Sequence, residues 1–449
     1  MRFASAPAKL EDYKLNSQLS IIKDESFIKV VDKRTTLDES QKDSNLHDDE
    51  KRNVSNTSTL SSIICVVAGT GILAIAHAMS QSGWIGILFL ILNACMSQFT
   101  GVLLIQCLYT NKNNTRFRDY ADIGHMAFGK PGKLIGYIFS QSFLLLTPTV
   151  YMVMASENIS ILLLQNGFIW LNRKVCVWII SIMIGVPFVL VRNMKDVSFL
   201  STFASMTTVC LLLIVCVVAL SSDYLERINT VHHDIAIAKN IPLAFSTFSF
   251  SYFGHAIYPH LEASMITPER WSKVLLVSNC VVSILYFTMA FVCYLVFGNV
   301  VQSPIYKSLP LGSSQNIAMF VITIHVLLAI PFYLYIYTIR IELWFKDKQI
   351  KDSKLIQVAT RISVILLCAI IAMCIPYFSD FMAVVSTMLC DILAFVLPTI
   401  FWMKLNWETR QGRLGLFLIC SIIAIFGILC TLFGTIDVIQ QLLTHGHII

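Results

Sequence analysis

Eleven stretches of this chain are apolar over close to twenty residues or more, and the polar residues between them gather into short connectors. About 20 apolar residues span the hydrocarbon of a bilayer as a helix. The pattern therefore predicts membrane-spanning helices near 60–82, 84–109, 133–164, 175–191, 197–221, 241–260, 274–297, 315–339, 360–379, 381–403 and 414–438. Two of them carry flexible backbone where a helix should run unbroken. The first contains Val67-Ala68-Gly69-Thr70-Gly71-Ile72-Leu73, and the sixth contains Ser249-Phe250-Ser251-Tyr252-Phe253-Gly254-His255. Inside a bilayer, non-helical backbone survives only where protein buries it or a wet cavity meets it. A pair of interrupted spans at matching places in two halves is a sequence pointer to a transporter's substrate site.

Five spans separate one interruption from the next. Because five is odd, the second block must cross the membrane upside down relative to the first. The expected fold is all-α, with spans one to five and six to ten as an inverted repeat and span eleven outside it.

Composition narrows the class. The chain is 56% hydrophobic and 13% charged, with a mean hydropathy of +0.70, whereas a soluble domain carries roughly 25% charged residues. With the N-terminus in the cytosol, connectors on that side hold eighteen Lys and Arg, against five on the far side (Arg173, Lys174, Arg227, Lys239 and Lys307). That is the positive-inside bias. The net charge of +6 thus reflects topology and calls for no nucleic-acid partner. An odd span count places the C-terminus, with His445 and His447, on the lumenal or external side. The thirteen cysteines all fall within the apolar stretches, which suits small core residues better than disulfides.

Residues 1–57 hold ten Lys/Arg and eleven Asp/Glu and read as a disordered cytosolic tail, leaving 58–449 as the membrane domain. No cleaved signal peptide is expected, since no short apolar stretch lies near Met1. Between spans two and three, Asp119, Asp122 and His125 recur every three residues. The spacing fits a solvated amphipathic helix, and a metal site would need more. The connector with Lys346, Lys348, Lys351 and Lys354 is a basic strip that could meet anionic headgroups, although topology alone accounts for it.

The chemistry of a broken span follows from its ends. One half-helix starts with free N–H groups and the other ends with free C=O groups. These attract a carboxylate and a cationic group respectively, so an amino acid zwitterion matches both. Ala68, Gly69, Thr70 and Gly71 are the candidate substrate residues of the first break, the glycines permitting close approach. Gly-x-Gly also serves plain helix packing. Ser251, Tyr252, Gly254 and His255 are the candidates of the second. His255 is read equally as a substrate contact or as a histidine bonded to a neighbouring carbonyl.

Glu157, His325 and Asp391 also lie within apolar spans, where a charge is costly to bury. Each is a candidate for carrying a coupling proton. The alternative is a buried hydrogen-bond partner for His325 and Asp391, and an interfacial residue for Glu157. Neither a phosphate-cradling Gly-x-x-x-x-Gly-Lys run nor a nucleophile elbow is present, so an enzyme is not expected and no cofactor is implied.

Phe253-Gly254-His255-Ala256-Ile257-Tyr258-Pro259-His260-Leu261-Glu262-Ala263-Ser264-Met265 is similar to the Gly-His-x-x-(Phe/Tyr)-Pro-x-(Leu/Ile)-x-x-x-Met signature of the amino acid/auxin permease family. Gly69-Thr70-Gly71-Ile72-Leu73 resembles that family's first-span motif. Further likeness lies at Tyr120 to Gly124, Ala127-Phe128-Gly129, Val296 to Asn299, Ile375 to Phe378 and Leu397-Pro398. From about Ser61 onward the chain resembles the vacuolar and vesicular amino acid transporter branch. The resemblance implies a sodium-symporter-like inverted repeat, amino acid substrates and proton coupling. It also implies that Gly69 to Gly71 hold the substrate carboxylate while Tyr252 to His255 line the pocket.

Two departures stand out. Ala76 occupies a position where relatives commonly carry Pro. Cys65 stands where sodium-coupled relatives carry Asn, and a thiol is a poor ligand for a hard cation. Proton symport or exchange is therefore expected over sodium symport. The other class to weigh is an amino acid sensor that transports little and signals through a cytosolic partner of its N-terminal tail. An internal vacuolar or vesicular membrane is the expected location, with the plasma membrane as the alternative.

Overall fold

The computed structural model describes residues 52–110, 116–168, 170–191, 193–221, 230–347, 354–375 and 377–446. Residues 1–51 of the tail, Asn111, Lys112, Arg192, Arg227, Lys348, Lys351, Pro376 and His447 lie outside them, as does the side chain of Lys346.

Hydrocarbon leaves a polar backbone little choice but helix, and capping residues decide where each helix starts. Helix α1 (Asn56–Val67) begins under Ser55, whose side chain accepts from the Ser58 N–H, and α2 (Gly71–Ser82) follows after a break. Helix α3 (Gly86–Leu108) comes next. Asp119 opens α4 (Tyr120–Gln165) by accepting from Ala121 and Asp122 N–H. Asn172 does the same for α5 (Arg173–Leu190) through Val175 N–H, and α6 (Met194–Ala219) follows. Two short helices, α7 (Ile241–Ser251) and α8 (Tyr258–Ser264), precede the long α9 (Trp271–Phe297) and α10 (Ser313–Asp347). The chain continues through α11 (Lys354–Cys374), α12 (Phe378–Val385), α13 (Leu397–Leu405) and α14 (Leu414–Gly446). Two π-helical turns, Ser386–Cys390 and Ile392–Val396, join α12 to α13.

Nine helical runs among the described residues are long and apolar enough to cross a membrane, and the α1–α2 pair, bent by 47°, makes a tenth crossing. The stretch expected near 241–260 differs, because the break at residues 252–257 leaves each of its halves too short to span alone. The expected amphipathic segment after residue 119 is continuous with the third crossing and kinked at Gly129. A φ of +67° there turns the chain so sharply that a Cβ on Gly124 would collide with the Gly132 carbonyl. Small residues make that approach feasible. Asp119 and Asp122 face Arg340, at 3.0 and 3.9 Å.

Helix α10 packs against both α4 and α6, which together serve as a frame, and α1, α2, α7 and α9 pack together beside it. Each end of the molecule is tied across. At the end that holds residues 52–55, Val54 pairs with the backbone of Ser264 and Ile266, both at 3.0 Å. There Arg116 reaches the buried Glu262 of α8 at 2.6 Å, and Tyr109 also donates to Glu262. At the opposite end, Trp84 and Ile85 N–H donate to the Asp234 and Ile235 carbonyls at 3.0 Å, and Lys307 pairs with Glu157 at 3.0 Å.

Arg361, expected at the edge of a span, is buried within α11. Its guanidinium donates to the carbonyls of Phe188, at 3.0 Å, and Val191, closing the C-terminus of α5, and meets Glu342 at 3.2 Å. Arg361→Met would leave those acceptors unpaired inside protein, a loss on the order of 3 kcal/mol. We expect a lower melting temperature in detergent, with Arg361→Lys intermediate because it lacks the planar fork. An unchanged melting curve for the Met variant would refute this account of the α5 terminus.

Candidate functional site

The two breaks face each other at the centre of the helical body. Ser251, the last residue of α7, places its Oγ 3.3 Å from the Gly71 carbonyl. A Cβ added to Gly71 would lie 2.7 Å from Ser251 Cα. Only a glycine allows the two chains to come this close. Ala68, Thr70, Ser251, Tyr252 and His255 are all buried, so the junction is sealed from both ends of the molecule.

Interrupting a helix frees carbonyls, and here other spans cover them. Tyr333 of α10 donates to Val66 O at 3.3 Å. The Tyr286 hydroxyl of α9 lies 2.5 Å from Val67 O and 2.7 Å from Ser251 O, touching both breaks. Ser97 of α3 donates to Tyr252 O at 2.9 Å. Four acceptors of the interrupted backbone are thus met by hydroxyls.

The donors are treated differently. No backbone carbonyl among the described residues accepts from the N–H groups of Gly69, Thr70, Gly71 or Ile72, nor from those of Gly254, His255 or Ala256. Thr70, at the start of α2, supplies no side-chain cap. Uncovered N–H groups at a helix start form a site for an anion, through both hydrogen bonding and the helix dipole.

The ionisable candidates separate into three places. His325 of α10 joins the junction, with its Nε2 3.1 Å from where a Cβ on Gly69 would sit, beside the Tyr151 hydroxyl at 2.7 Å. Its Nδ1 lies 2.7 Å from the Ala204 carbonyl, which can only accept, so Nδ1 carries the hydrogen. In the neutral ring, Nε2 is therefore a lone pair turned toward Gly69, and it has no hydrogen-bond partner among the described residues. His255 lies between the rings of Phe253 and Tyr258, its Nε2 2.9 Å from Thr100 Oγ1. Its Nδ1 likewise lacks a partner among the described residues.

Asp391 stands apart from the junction, between the two π-helical turns. It accepts from Ser246 of α7 at 2.6 Å, while Oδ1 is buried without a partner among the described residues. Glu157 belongs to the far-end ion pair with Lys307. Gly254 sits against Tyr258, whose ring a Cβ would strike.

Sequence reasoning missed Tyr151, Tyr286, Tyr333, Ser97 and Thr100. It weighed ionisable groups in the spans and hydroxyls within the two breaks, and passed over hydroxyls on the other spans. A usable signal was present, because a buried tyrosine needs a partner for its O–H and a broken helix offers free carbonyls.

Comparisons with known proteins bear on the family and the fold. The family model described as transmembrane amino acid transporter protein matches residues 52–440. The amino acid transporter AVT1E of Arabidopsis thaliana is 25% identical over 408 residues, covering 88% of this chain and 74% of that protein. The vesicular GABA transporter of Caenorhabditis elegans is 24% identical over 364 residues, covering 77% and 72%. Among solved structures, MhsT in complex with L-phenylalanine superposes with a TM-score of 0.59 at 14% identity, covering 84% of this chain and 98% of that one. A Na+-coupled sialic acid symporter gives 0.54 at 12% identity, covering 92% and 95%. The fold is thus that of known membrane carriers. Since the family model covers most of its length, the chain belongs to the transmembrane amino acid transporter family, whose members are carriers and not enzymes.

Proposed function

We propose that this protein is a secondary active transporter that binds an amino acid where its two broken helices meet and couples its movement to protons. The observation that carries this reading is the asymmetry of the junction. Its free carbonyls are met by hydroxyls, whereas no backbone carbonyl among the described residues accepts from seven N–H groups of the two breaks, of which only Thr70 N–H meets a side chain, the Tyr151 hydroxyl. An α-carboxylate suits the N–H groups of Gly69 to Ile72. The neighbouring ammonium finds an acceptor in His325 Nε2. Ala68, Thr70, Ser251, Tyr252, Gly254 and His255 complete the lining.

Alternating access needs two halves that can rock about this site. We count the α7–α8 stretch as a further crossing, which gives eleven, and take the first ten as an inverted repeat. The packing partners support that division, because several neighbour relations recur five spans later. Helix α1 packs on α6 as α7 packs on the Ser386–Cys390 turn, and α2 packs on α9 as α7 packs on α3. In the same way α4 meets α5 and α11, while α10 meets α11 and α5.

For the proton, His325 is placed to sense occupancy directly and Asp391 to sense the position of α7 through Ser246. Glu157, paired with Lys307 at the far end, is the candidate nearest that mouth. Cys65 near the first break argues against a sodium ligand there. We place the protein in a vacuolar or vesicular membrane with the N-terminus in the cytosol. The vesicular relative and the Lys/Arg bias support this. Residues 1–57 would then be a cytosolic tail.

Two experiments test the reading. Purified protein in liposomes should accumulate radiolabelled amino acids faster with an imposed pH gradient than without. No uptake of any amino acid under either condition would overturn the function. Gly71→Val would push a branched side chain into Ser251 and Tyr286, an overpacking worth about 1–3 kcal/mol. Uptake should fall about 10- to 100-fold with expression retained. Normal uptake would show that the substrate sits elsewhere.

A further inference from the structure

Tyr286 lies on α9, outside both broken segments, yet its hydroxyl touches both. It is 2.5 Å from Val67 O and 2.7 Å from Ser251 O. The ring is buried and packs edge-on against Tyr252, with centroids 5.2 Å apart. A phenol brings a single hydrogen, so the two carbonyls compete for it. The two separations are ordinary O–H···O distances, and two convergent carbonyl oxygens are also the kind of ligand that a hard cation seeks. Here an oxygen that carries one hydrogen fills the point where they converge.

We propose that the Tyr286 hydroxyl stands in a position that a monovalent cation such as sodium would otherwise take, and so makes Tyr286 the residue that sets the ion dependence of this carrier. The inference rests on the reading of the chain as an amino acid transporter and adds a reason for independence from sodium. The hydroxyl supplies the positive hydrogen that holds the two breaks together, leaving a metal cation neither ligands nor room. Tyr286→Phe keeps the ring and its packing on Tyr252 but leaves both carbonyls without a donor. Tyr286→Ser withdraws the ring and opens the space on which the carbonyls converge.

The test uses the full chain in liposomes at a fixed pH gradient, with uptake of a radiolabelled amino acid mixture measured in sodium chloride and in choline chloride. Melting of the purified protein is followed in the same two salts. Wild-type uptake and melting should be the same in both. Tyr286→Phe should transport at least about tenfold more slowly in both, the cost of one lost buried hydrogen bond. Tyr286→Ser should recover uptake several-fold in sodium only, and sodium should raise its melting temperature.

The proposal is overturned if the wild type needs sodium or is stabilised by it, or if Tyr286→Phe transports normally. It also fails if the Ser variant responds to sodium in neither assay. A wild type that moves no amino acid in either salt overturns the transport reading instead, and its melting behaviour still decides the role of Tyr286.

Discussion

A helix that stops inside a bilayer releases carbonyls that water cannot reach, each costing about 1–3 kcal/mol if left unpaired. This chain stops two helices at the same depth and brings the stops together. Its stability therefore depends on the hydroxyls that meet those carbonyls. Tyr286, Tyr333 and Ser97 come from three other helices. Tyr333 and Ser97 each tie one of the breaks to a span that is itself continuous, and Tyr286 ties both. The breaks are thus held open by side chains outside them, and Gly69 and Gly71 only permit what those side chains enforce.

The same economy explains the division of labour in the body. Helices α4, α6 and α10 form a frame. From it His325 and Tyr151 reach inward to Gly69, so the frame presents fixed groups to a junction built from shorter pieces. Those pieces are held at their ends by few ties. The Glu262–Arg116 pair with the Val54 backbone bonds secures α8 at one end, and the Asp234 and Ile235 carbonyls secure the turn after α2 at the other.

The sequence made much of this visible. Hydropathy located the spans, and the glycines with Ser251 and Tyr252 located both breaks to within a residue or two. Helix ends were less legible. The third crossing merges with the amphipathic segment that precedes it because Gly129 kinks the helix without ending it. Arg361 read as a connector residue because its charge is expected in water, whereas in the fold it caps α5 from inside. The tyrosines were invisible for a different reason. Nothing local marks Tyr286 as special, since its partners lie 219 and 35 residues away and only the closed bundle brings them together.

The uncovered donors have a consequence for how such a site works. A hydroxyl can satisfy a carbonyl permanently, since it is part of the protein. The N–H groups of Gly69, Gly71 and Ile72 and of Gly254 to Ala256 have no backbone carbonyl as a standing partner among the described residues, so a bound anion would offset their desolvation. Closing the junction around a carboxylate exchanges several poor interactions for charge-assisted hydrogen bonds, which are about twice as strong as neutral ones. Closing it around nothing leaves those donors bare. A carboxylate bound there as proposed would thereby supply the differential affinity that any ligand-driven change of state requires.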